Sequence, residues 1–85
     1  MEYLIVAFRS RAHTIKFANI LHSQNIAMEI VNTPKEAGVG CGLSVKVRKQ
    51  NYETIKKLVI LSALSSFAGF FSVKELGEKR IVRTI

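Results

Sequence analysis

Asn32-Thr33-Pro34-Lys35-Glu36-Ala37-Gly38-Val39-Gly40-Cys41-Gly42 lies between two strand-like runs. It holds the chain's only proline, its only cysteine and three of its five glycines. Before it, residues 26–31 read as a strand, with Ile26, Met28 and Ile30 facing inward. After it, residues 42–48 alternate cleanly, Leu43, Val45 and Val47 against Ser44, Lys46 and Arg48. That alternation predicts one buried face and one wet, basic face. Two successive strands joined by a loop pair antiparallel, and this loop is several times longer than a tight hairpin needs.

Outward from the loop, the pattern changes to strand and helix on both sides. Residues 2–8 read as a strand with Leu4, Val6 and Phe8 on one face and Tyr3, Ile5 and Ala7 on the other. A strand apolar on both faces belongs inside a sheet. Ser10 caps a helix over 11–24, with Ile15, Ala18 and Leu21 recurring at three-residue steps and Phe17 and Ile20 widening the stripe. Asn25 ends it in a left-handed conformation. Asn51 is placed to cap a second helix running to residue 66, whose inner face is Tyr52, Ile55, Leu58, Val59 and Ser62. Its further apolar groups, Val59-Ile60-Leu61, suggest a subunit contact. Gly69 interrupts, residues 70–76 form a fourth strand, and 77–79 turn. Residues 80–85 alternate again, as an extra strand or as a tail that pairs with another subunit.

The order β-α-β-β-α-β, with right-handed crossovers, gives an α+β, ferredoxin-like fold. It consists of a four-stranded antiparallel sheet with two helices on one face. The 85 residues are expected to form one domain, with 77–85 as a C-terminal extension.

A lone cysteine cannot pair within the chain, so it matches a reducing compartment, and the expected location is the cytoplasm. The most apolar window, 58–73, is shorter than the ~20 residues of a membrane-spanning helix and contains four serines and Gly69. The sequence has thirteen Lys and Arg against six Glu and no Asp, and this favours acidic partners. Nucleic acid is disfavoured, because the exposed face of the third strand offers Lys46 and Arg48 but no aromatic for base stacking. His13 and His22 fall about 180° apart on one helix at ~100° per residue, and with one cysteine too few ligands remain for a metal site. No nucleophile, base and orienting acid come together, so an enzyme is disfavoured relative to a carrier or binding protein.

The candidate chemistry therefore centres on Cys41. Thr33, Pro34, Lys35, Gly40 and Gly42 would support its loop. Pro34 can open a single helical turn with Thr33 as its cap and Glu36 in its first turn. The glycines permit positive φ and let a partner approach the sulfur. In the expected strand order the loop falls at the opposite end of the sheet from the start of the first helix. The helix dipole would then not point at Cys41 unless the loop folds back. Arg9, Ser10 and Arg11, at the start of that helix, are a separate candidate for holding an anion.

Thr33-Pro34-Lys35-Glu36 followed by Cys41-Gly42-Leu43 resembles the Thr-Pro-Arg-Glu then Cys-Gly-Leu signature of the selenium/sulfur carrier-like proteins. Phe8, Ser10 and Ala12 resemble the phenylalanine, serine and alanine after that family's first strand. The resemblance runs from about Tyr3 to Tyr52. Asn32 stands where the family usually has proline, Lys35 replaces an arginine, Arg11 replaces a small polar residue, and the tail after Gly77 is longer. The resemblance implies that Cys41 carries a sulfur or selenium atom, as a transient persulfide or selenide with no other cofactor. Its partners would be donor and acceptor proteins of sulfur or selenium metabolism. The competing expectation is a basic, non-catalytic binding or homo-oligomerisation module in which Cys41 only packs.

Overall fold

The computed structural model describes residues 1–85, and its element order is β1(Glu2–Phe8), α1(Arg11–Ser23), β2(Met28–Asn32), β3(Leu43–Val47), α2(Tyr52–Ser62), β4(Phe67–Leu76) and β5(Lys79–Thr84), with 3-10 turns at Lys35–Ala37 and Lys49–Asn51. The five strands form one sheet in the order β2-β3-β1-β4-β5, with every neighbouring pair antiparallel. The sheet has one strand beyond the four of the ferredoxin-like plan: residues 79–84 pair with β4 within the same chain, which is the first of the two alternatives for this segment.

β1 sits at the centre, and its two apolar faces serve two cores. Leu4, Val6 and Phe8 pack with Phe17, Ala18 and Leu21 of α1 and Ile55 and Val59 of α2, so both helices share one side of the sheet. On the other side Ile5 and Ala7 join Phe71 and Val73, and the cover comes from Ala37 and Val39 of the loop and from Val82 of β5. The long loop thus crosses the end of the sheet and folds onto the face that lacks helices. This is also why the second face of β3 is not the wet, basic surface that its alternation suggests. Ser44 is fully buried there, and the Lys46 ammonium lies 4.3 Å from the centre of the Tyr3 ring.

The helix ends follow local chemistry. Ser10 accepts the His13 N–H and caps α1, and Asn25, with φ 58°, ends it. The buried stripe of α1 is Thr14, Phe17, Ala18 and Leu21, whereas Ile15 is exposed. Thr14 takes the inner place because its hydroxyl finds partners there. Asn51 precedes α2, but its side chain makes no capping bond. α2 stops at Ser62, four residues before the expected end, because Ala63 turns left-handed. β4 then begins at Phe67. A bulge between its pairings with Ala7 and Phe8 absorbs Ala68 and lets Phe67 and Phe70 both point into the helix-side core. Ile30, expected to face inward, is exposed on the edge strand β2. No helix is long and apolar enough to cross a membrane.

Candidate functional site

The chain enters the long loop from β2. Pro34 occupies the cap position of the 3-10 turn Lys35–Ala37, and no side chain caps that turn. The Thr33 hydroxyl pairs instead with the buried Ser44 hydroxyl at 2.6 Å. At the far end the Cys41 N–H donates to the Phe8 carbonyl at 3.1 Å, and the Thr33 N–H donates to the Gly42 carbonyl at 2.9 Å. The backbone on both sides of the thiol is therefore fixed to the sheet. Gly40 has φ +99°, and a Cβ built on it would lie 3.3 Å from the Phe8 carbonyl oxygen, so its smallness serves close packing. Gly42, at φ +92°, faces open space.

The Phe8 bond locates the loop at the end of β1, where α1 starts. This corrects the expectation that loop and helix start lie at opposite ends. The α1 crossover makes β2 run parallel to β1, so both strands finish at one end of the sheet, and the loop leaves from that end. Cys41 is half-buried. Its sulfur stands 3.6 Å from the Thr14 hydroxyl, in the first turns of α1, and 3.5 Å from the Leu43 carbonyl. The Thr14 hydroxyl also reaches the Ser10 carbonyl at 3.2 Å and the Leu43 carbonyl at 3.3 Å. With a single proton, it can donate to one of these acceptors at a time. A protonated thiol donates to Leu43, and a thiolate can instead accept the Thr14 proton.

Thr33, Pro34, Lys35, Gly40 and Gly42 line a shallow depression of about 330 Å³ on the outer side of the loop, together with Gly38 and Val39. Cys41 is not part of that wall; its sulfur turns toward α1. Arg9 and Arg11 are exposed. Ser10 between them is engaged, since its N–H donates to the Ser66 hydroxyl and its own hydroxyl accepts from His13. His13 is half-buried, with Nδ1 2.5 Å from the Ser66 hydroxyl. No three His, Cys or Glu side chains gather into a metal-binding group.

Thr14, His13 and Ser66 were not legible as partners of this region. Only Thr14 left a trace, through the spacing of residues 14, 17, 18 and 21, which is the regular helix stripe if threonine is counted as able to enter the core.

A bidentate ion pair ties the loop to β5. The Arg80 guanidinium donates to both oxygens of Glu36, at 2.7 and 3.0 Å. These bonds hold the Glu36 carboxyl below its usual range. The pair is complete above the ordinary carboxylate range, about pH 4–4.5, and is lost as pH falls through the lowered folded value. Glu36→Gln is therefore expected to flatten part of the fall in thermal midpoint on acidification. Melting curves from neutral to acidic pH check this; identical pH profiles for the two proteins would refute it.

No curated protein and no solved structure matches the chain. Residues 3–63 match the model of the family described as Putative Se/S carrier protein-like. That match spans most of the chain and includes nearly all of β1, all of α1, the loop with Cys41 and all of α2, so the chain belongs to this Se/S carrier-like family.

Proposed function

We propose that Cys41 accepts a sulfur or selenium atom from a donor protein and hands it to an acceptor. The observation that carries the reading is the placement of the thiol. Cys41 is half-buried, on a backbone clamped to β1, and its sulfur lies within reach of a hydroxyl that can donate to a thiolate. The start of α1 beside it adds a favourable field for negative charge. In the loading step the Cys41 thiolate attacks the outer sulfur of a donor persulfide. A new S–S bond forms, the donor's S–S bond breaks, and the donor leaves as a thiolate. In delivery an acceptor thiolate attacks the outer sulfur and releases Cys41 as a thiolate. Selenium follows the same steps with an outer selenium atom. The strand order β2-β3-β1-β4, with both helices on one side, supports a ferredoxin-like plan to which β5 adds an edge strand. The exposed Ile60 and Leu61 of α2 support a contact between copies.

The test is intact-mass spectrometry after incubation with a small-molecule persulfide. One added sulfur, absent from Cys41→Ser and removed by a thiol acceptor, is the expected result. A folded chain that stays unmodified while the denatured chain is modified would overturn the reading.

A further inference from the structure

We propose that the cavity between the start of α2 and the β4–β5 edge binds a small organic carboxylate with an apolar body. The cavity arises because β5 extends the sheet beyond the reach of the helices. In the strand register Glu2, Lys74 and Ile81 form one row and Leu4, Ser72 and Arg83 the next. Leu4 belongs to the helix-side core, so these rows face the side of the sheet that α1 and α2 cover only in part. What remains is a cavity of about 460 Å³. That lies within the ~300–1,000 Å³ of small-molecule sites.

Its walls set the chemistry of the ligand. Leu4, Tyr52, Ile81 and Ile85 supply the apolar surface, and Leu4 at the floor is only 1% exposed. The Tyr52 ring is held by an edge-on contact with Phe70, with centroids 5.4 Å apart. Lys49, Lys74 and Arg83 line the same cavity against a single side-chain carboxylate, Glu2. Glu2 is already bound to Lys49, which holds its carboxyl below the usual range. Neither Lys74 nor Arg83 forms a salt bridge, although Lys74, opposite Glu2 in the register, also helps to lower that carboxyl. An apolar body between these walls would bring a carboxylate to two free cations, one of them a guanidinium able to bind it through two hydrogen bonds. No residue of the loop that carries Cys41 lines the cavity, so the site is separate from the thiol.

Octanoate and octanol share an apolar tail and differ in charge, which makes them suitable probes. The isotope-labelled full chain is titrated with each and followed by amide chemical shifts. Octanoate is expected to saturate shifts clustered at Leu4, Tyr52, Ile81 and Ile85, and octanol to bind about tenfold or more weakly, as expected for loss of a charge-assisted pair. Reversing both free cations, Lys74→Glu with Arg83→Glu, is expected to weaken octanoate by a similar factor and leave octanol unchanged. Equal binding of the two probes, shifts scattered over the surface, or shifts that follow self-association in place of ligand would each overturn the proposal.

Discussion

Phe8→Ala is expected to destabilise the fold by about 3–5 kcal/mol, the usual cost of emptying a large buried aromatic site. A domain of this kind has a total stability of roughly 5–15 kcal/mol, so the variant would be at or near the edge of folding. The size of the effect follows from position. Phe8 is fully buried, and its ring lies 5.4 Å from that of Phe17 and 5.8 Å from that of Phe67. It therefore joins β1, α1 and the first residue of β4 at one point. Its backbone carbonyl also holds the Cys41 N–H, so loss of the ring loosens the support of the thiol as well as the core. Denaturant unfolding followed by circular dichroism checks the magnitude. Phe17→Ala should cost a comparable amount, and the double variant less than the sum, because the two rings share one cavity. A loss below about 1 kcal/mol for Phe8→Ala, the size of an ordinary surface or peripheral change, would show that this junction is not where the core is held.

Much of this arrangement is legible in local sequence. Six successive apolar residues, Tyr3 to Phe8, put apolar groups on both faces and identify β1 as a central strand, and Ser10 and Asn25 mark the ends of α1 by chemistry that acts within one turn. The long loop with its cysteine is visible as a break in pattern. The partners of that loop are not, because they come from distant positions. Thr14 is buried only because Ser10, Cys41 and Leu43 offer it partners, and Ser44 only because Thr33 does. A polar residue taken alone gives no sign that its hydroxyl will be satisfied inside the fold. The Glu36–Arg80 pair joins residues 44 positions apart, and nothing in either segment announces the other. The location of Cys41 is a different case. The parallel course of β1 and β2 follows from the strand order, which places the loop beside the start of α1. Likewise, Gly69 breaks the alternation without ending the strand, since a bulge can carry one extra residue through β4.

Gly40→Val should disturb the thiol more than any other change that leaves the sulfur in place. Two effects combine at this position. A φ of +99° is a conformation that a β-branched residue adopts only under strain, at about 1–3 kcal/mol. In addition, its Cβ would press on the Phe8 carbonyl oxygen at 3.3 Å, and that oxygen accepts the Cys41 N–H. Relief requires the loop to move off the end of β1, which breaks that hydrogen bond and takes the sulfur away from Thr14. Gly42→Val provides the comparison on the other side of the cysteine. Its φ of +92° imposes similar strain, but no atom lies within 4 Å of the added Cβ. The difference between the two variants therefore isolates the contact with Phe8. Gly40→Val is expected to have the lower thermal midpoint and the faster alkylation of Cys41 by iodoacetamide, together with poorer retention of a loaded sulfur. Gly42→Val should lose stability while keeping an alkylation rate close to that of the parent chain. Matching alkylation rates in the two variants would mean that the grip of β1 on the loop does not govern access to the sulfur. Protection of the thiol would then have to come from the Thr14 side, and Thr14→Val would become the variant that exposes it.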